Sequence, residues 1–202
     1  GQYFTPDPIK KMMVNIIKPV PAKEVVYDPA CGSGGFLVST INWFRECIKH
    51  RLGYVHSDGS VKLDGELSKE EKMLVASQIK DLAGKNILGT DFDNHLTKIA
   101  KMYMIMVDDG HSGIFTANAL TPLSDLQANT GRIKEGCCDV ILTNPPFGTK
   151  GKICRKDILE QFDLGYKWKK SSETGKYTIC DKIEKNLEER KKVMVKFQMF
   201  CL

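Results

Sequence analysis

The sequence predicts an α/β fold in which a mostly parallel sheet alternates with helices, and three observations predict it. Short, continuous apolar runs, Val25-Val26-Tyr27, Ile87-Leu88 and Val140-Ile141-Leu142, read as strands buried on both faces. Patterns of helical period follow the first two. Each run also ends in polar or glycine-rich residues, and the carboxyl edge of a parallel sheet is where such folds hold ligands. A chain of 202 residues, 42% hydrophobic and 27% charged, has room for one sizeable globular core.

In chain order, Gly1, Gln2, Tyr3, Phe4, Thr5, Pro6 and Asp7 precede a pattern with Ile9, Met12, Met13, Ile16 and Ile17 on one face. Thr5 is the expected N-cap, with Pro6 in the first helical position and Asp7 in the first turn. Pro19 and Pro21 end this helix. The first strand leads into Asp28, Pro29, Ala30, Cys31, Gly32, Ser33, Gly34 and Gly35, then a helix through Ile48. Glycines let a backbone approach a ligand without a Cβ in the way. The spacing is not Gly-x-Gly-x-x-Gly, and no Lys-Ser/Thr follows. It suits a compact zwitterion better than a phosphate. Alone, the loop reads equally as a tight strand–helix corner.

Residues 52–85 read as an insertion, with turns at Asp58-Gly59 and Asp64-Gly65 and a Ser68/Glu71 capping box before a helix through Leu82. The second strand ends at Asp91-Phe92-Asp93 ahead of an amphipathic helix. Asp91 suits the hydroxyls of a ribose and Asp93 suits a cap, though capping by both stays open. Met102, Met104 and Met106 read as packing. A third strand over 114–120 carries Asn118, either an adenine contact or a turn former.

The fourth strand stops at Asn144-Pro145-Pro146-Phe147. Two prolines remove donors and fix φ, so the ladder ends in a rigid rim with one amide, free carbonyls and a ring. Such a rim also serves as an inert strand terminator. Residues 148–180 read as a loop in which Tyr166, Trp168 and Tyr177 interleave with lysines, and 181–196 as a charged helix. That loop suits nucleic-acid contact or a solvated surface.

Net charge is +5, and its placement is uneven: residues 1–147 hold 16 Lys+Arg against 17 Asp+Glu, and residues 148–202 hold 14 against 8. Seven cysteines, without a Cys-x-x-Cys spacing, predict reduced thiols and no metal site. With no signal peptide and no apolar run of membrane length, they predict a cytoplasmic protein. The apolar stretch 193–202 and the missing initiator methionine predict a piece of a longer chain.

Together, the GQYFTP, DPACGSGGF, GTDFD, NAL and NPPF segments, in this order over residues 1–147, resemble the amino-methyltransferases. The nearest likeness is to the modification subunits of type I restriction–modification systems, which methylate adenine N6 in DNA. The resemblance implies a Rossmann-like S-adenosylmethionine-dependent methyltransferase fold, here its N-terminal part with strands 1–4. It implies one partial catalytic domain over 1–202: a cofactor-binding helix in 1–24, core βα units in 25–147, and a basic loop with an incomplete helix in 148–202.

The resemblance implies S-adenosylmethionine as cofactor. Gln2, Tyr3, Phe4, Thr5, Pro6, Asp7, Gly32, Ser33, Gly34 and Gly35 would surround its methionine portion, and Asp28 would face the same region. Asp91 would take the ribose, and Phe92 and Asn118 would flank the adenine. Position 7 is Asp where members often carry Arg, and position 118 is Asn where many carry Asp.

Asn144, Pro145, Pro146 and Phe147 would form the target-base site. The Asn144 side-chain oxygen and the Pro145 carbonyl would accept the two hydrogens of the exocyclic amine, and Phe147 would stack on a base flipped out of the duplex. DNA, a specificity subunit and a restriction subunit are the implied partners. Two other readings stay open: a methyltransferase acting on protein glutamine or RNA, and a fragment that only binds cofactor or scaffolds a complex.

Overall fold

The computed structural model describes residues 4–107, 113–145, 156–160, 166–172 and 174–183. Four strands, β1 (Val26–Asp28), β2 (Ile87–Asp91), β3 (Ile114–Thr116) and β4 (Val140–Ile141), form a sheet in the order β3-β2-β1-β4, and every pairing is parallel. The order reverses direction between β1 and β4, the switch point at which α/β sheets open a crevice. All four carboxyl ends share one edge.

Alternation along the strands divides the core. Val26, Ile87 and Ile114 join Leu142 against the helices α2 (Gly35–Arg51), α3 (Lys69–Asn86) and α4 (Asn94–Met106). Tyr27 and Leu88 point the other way, onto Leu126 of α5 (Leu123–Thr130) and Ile133. Every residue of β2 is therefore buried, as expected of a central parallel strand. The central helix α2 buries Phe36, Leu37, Thr40, Ile41, Phe44 and Ile48 at helical spacing. Its large apolar side chains each stabilise the fold by about 1.5–3 kcal/mol.

Local signals behave largely as their chemistry dictates. Ser68 and Glu71 exchange capping hydrogen bonds of 3.2 and 2.7 Å at the start of α3, which runs to Asn86 rather than stopping at Leu82. Asp93 caps α4 by accepting from His95 N and Leu96 N. The strands β3 and β4 are shorter than the apolar runs suggest, because each leaves its partner as it reaches the polar edge.

Three expectations are corrected. The first helix, α1 (Asp7–Ile17), has Pro6 rather than Thr5 at its N-cap, so the Thr5 hydroxyl serves elsewhere. The basic segment is not all loop. It holds a short helix, α6 (Lys156–Leu159), and an antiparallel hairpin of β5 (Tyr166–Lys170) and β6 (Tyr177–Ile183), paired Trp168 to Ile179. Finally, Asp181 and Lys182 lie in β6, not in a helix, and the expected helix beyond them falls outside the described residues. Among the described residues, no helix is long and apolar enough to cross a membrane.

Candidate active site

The glycine corner after β1 is tied to the end of β2. Cys31 N donates to Thr90 O at 2.9 Å, and Gly32 N donates to Asp91 Oδ2 at 2.9 Å. The other oxygen of Asp91 accepts from Asp93 N at 2.9 Å, so one buried carboxylate holds both the loop and the turn after its own strand. Tyr27 and Thr90 add a buried side-chain hydrogen bond of 2.7 Å beneath. Gly32 and Gly34 take φ of +53° and +85°, where a side chain is strained. A Cβ on Gly34 would also lie 3.2 Å from that of Ala100, whereas one on Gly32 would meet open space. The turn thus packs α4 at Gly34 and stays open at Gly32.

Asp28 ends β1 with 2% of its surface exposed. Its Oδ1 accepts from Ala30 N at 3.1 Å. Burial pushes its carboxyl up to about 7, and the nearby Asp91 charge adds to the rise. Thr143 and Ala30 N–H temper it. The Thr143 hydroxyl does so from outside hydrogen-bonding geometry: it is buried and has no hydrogen-bond partner among the described residues. Burial raises the Cys31 thiol too, so this thiol stays protonated and inert.

Across the switch point, Asn144 Nδ2 donates to Thr5 Oγ1 at 2.9 Å. The contact spans 139 residues and joins the N-terminal segment to the rim. It also opens an apolar-walled cleft of about 410 Å³, lined by Phe4, Thr5, Pro6, Ile9, Met13, Phe36, Thr143 and Asn144. Among the described residues Asn144 Oδ1 accepts no hydrogen bond, nor does the Pro145 carbonyl. Both acceptors are available to a ligand.

The remaining expected residues are placed as follows. Ser33 and Gly35 are half-buried on the corner, and Phe92, at 75% exposure, projects from the end of β2. Asn118 is exposed two residues beyond β3, and its Oδ1 accepts from Leu120 N at 3.0 Å. That is a turn-forming role, and it leaves the amide N–H groups outward. Asp7 is exposed and ion-paired with Lys10, which holds its carboxyl below the usual range. Gln2, Tyr3, Pro146 and Phe147 lie outside the described residues.

Sequence reasoning missed Thr143 and Lys10. A hydroxyl residue between a buried leucine and the rim asparagine was the available signal for the first. For the second, the signal was a lysine three residues after Asp7. Lys10 lies against the start of α2, where a Cβ on Gly35 would come within 2.8 Å of its Nζ.

A parallel sheet in this order, with acidic ends on β1 and β2, a glycine corner and an Asn-Pro rim, defines a Rossmann-like α/β domain of the methyltransferase kind. Residues 1–179 match the N-6 DNA methylase family, and the chain belongs to it. The HindI type I restriction enzyme methylase subunit of Haemophilus influenzae is 52% identical over 151 residues, covering 74% of this chain and 25% of that protein. The StySPI methylase subunit of Salmonella potsdam is 28% identical over 149 residues, covering 74% and 24%. The DNA-bound type ISP restriction–modification enzyme LlaBIII shares the fold, with a TM-score of 0.52 and 18% identity over 82% of this chain and 12% of that one. The chain spans about a quarter of the length of these curated relatives.

Proposed function

We propose that this chain carries the catalytic core of an adenine-N6 DNA methyltransferase that uses S-adenosylmethionine and works as the modification subunit of a type I restriction–modification system. One observation carries the reading. Two carbonyl-type acceptors, Asn144 Oδ1 and Pro145 O, with no hydrogen bond among the described residues, follow β4 at the switch point, where the adjacent strand β1 ends in a buried carboxylate and an open glycine corner.

The site fits the cofactor. Gly32 leaves open space where a side chain would stand, and the first turn of α2 has no side-chain cap on its N–H groups. A free amide end of this kind suits a carboxylate. Asp28 is short of positive partners, which suits an ammonium or a sulfonium. Asp91 reaches the same corner from β2, where a ribose would lie, and Phe92 offers an exposed aromatic face for an adenine. When bound, S-adenosylmethionine supplies an electrophilic methyl group.

The chain's own contribution is positioning and electrostatics. An exocyclic amine on a purine is a weak nucleophile because its lone pair is delocalised into the ring. Two acceptors aimed at its hydrogens draw that pair back onto nitrogen and orient it. The exocyclic nitrogen becomes cationic as it takes the methyl group, and this acidic cation releases its extra proton to water, so no strong base is needed. Phe147 would stack on the flipped base, a contact worth about 1–3 kcal/mol. The basic hairpin adds positive charge beyond the rim, in keeping with a DNA substrate. Specificity and restriction subunits, and a cytoplasmic setting, complete the proposal.

The test is methyl transfer from labelled S-adenosylmethionine to DNA, to RNA and to a glutamine-containing peptide. Label in DNA alone is expected. Label in RNA or peptide, with none in DNA, refutes the substrate.

A further inference from the structure

The hydroxyl of Thr5 is not used where its sequence position suggests. It stands one residue before the N-cap of α1, and its oxygen accepts the Asn144 amide hydrogen at 2.9 Å. The consequence is an anchor for the amide. A hydroxyl both donates and accepts, so Thr5 can hold either end of the amide, and the donors of the target amine select the oxygen end. An exocyclic amine presents hydrogens, and only the oxygen end can receive one. With the amide reversed, Nδ2 would face those hydrogens, two donors would oppose each other, and the contact would be lost. Nothing else among the described residues hydrogen-bonds the Asn144 side chain.

We propose that Thr5 is a positioning residue for methyl transfer: its hydroxyl accepts the Asn144 Nδ2 hydrogen and anchors that side chain, with Oδ1 left as the end that receives a hydrogen of the target amine. This rests on the function proposed above. It also links two parts of the site. Thr5 lies in the segment expected to border the cofactor, and Phe4, Thr5 and Pro6 wall the cleft beside Asn144. Seating that segment and anchoring the Asn144 side chain are therefore one event.

The experiment uses the full natural protein and compares Thr5→Val with Thr5→Ser. Valine keeps the branched shape and removes the acceptor, and serine keeps the acceptor. Three quantities are read: single-turnover methyl transfer to duplex DNA, the cofactor Kd by calorimetry, and Tm. We expect Thr5→Val to slow transfer by roughly 10- to 100-fold, as a misaimed reacting group does. The loss should persist at saturating cofactor whatever the change in Kd, Tm should hardly move, and Thr5→Ser should return the rate to within about threefold.

An undiminished rate in Thr5→Val overturns the proposal. So does a loss that disappears at saturating cofactor, or one that serine fails to rescue. If the unaltered protein binds cofactor but transfers no methyl group to DNA, the functional reading itself fails and takes this proposal with it.

Discussion

Asp28 and Asn144 sit at neighbouring strand ends and do opposite things for the molecule. Asp28 is a cost to the fold. Its carboxyl, up to about 7 in the folded chain, titrates at about 3.8 when solvated. The folded state therefore holds the proton more tightly, so Asp28 favours folding fully below about pH 4, and this is lost as pH rises through 7. Asp28→Asn keeps an acceptor for Ala30 N–H and removes the charge. It should stabilise the protein at pH 8 by on the order of 2 kcal/mol and by much less at pH 4.5, as urea denaturation at the two pH values would show. The same substitution should weaken S-adenosylmethionine binding and flatten its rise between pH 6 and 8, measured by calorimetry. Asn144 is proposed to serve the chemistry instead. Asn144→Ala should abolish methyl transfer, by more than about 100-fold, while cofactor affinity changes little. Equal losses in both would place Asn144 in the cofactor site.

Between elements, the strand–helix corner matters most. Gly34 combines a φ of +85° with Ala100 of α4 at its back, while Gly32 combines a φ of +53° with open space. Gly34→Ala should therefore destabilise by about 2–3 kcal/mol, more than Gly32→Ala, which carries only the backbone strain of about 1 kcal/mol. Denaturant midpoints would rank them. Asp91 fastens this corner through Gly32 N and Asp93 N. Asp91→Ala should weaken cofactor binding and also lower Tm, because two half-buried N–H groups lose their acceptor. By contrast, Ser68→Ala at the start of α3 should cost about 1 kcal/mol of stability and leave cofactor binding untouched. That variant separates general loosening from damage to the site.

At the scale of the whole molecule, the sheet edge was legible because each part of it is written locally. Buried strands show as apolar runs, and Asp28, Asp91 and Asn144 stand where those runs stop. The glycine corner is visible for the same reason, since only glycine takes its turn cheaply. What stayed hidden depends on distance along the chain. Nothing in residues 1–8 says that Thr5 will face Asn144 rather than cap α1, because capping and long-range pairing ask for the same hydroxyl. The hairpin of β5 and β6 was overlooked although Tyr166-Lys167-Trp168-Lys169 alternates as a strand does, because a lysine-rich run is also the mark of a loop or solvated surface. The turn-forming reading of Asn118 was legible locally, since an Asx side chain reaches the backbone two residues on, here Leu120 N.

The central proposal is that the Asn144 rim holds the exocyclic amine of adenine in DNA. Nucleoside mass spectrometry of DNA incubated with the full natural protein and S-adenosylmethionine bearing a labelled methyl group tests it most directly. The predicted product is labelled N6-methyladenine, absent with Asn144→Ala. Label recovered in a methylated cytosine instead, or N6-methyladenine formed undiminished by Asn144→Ala, would contradict it.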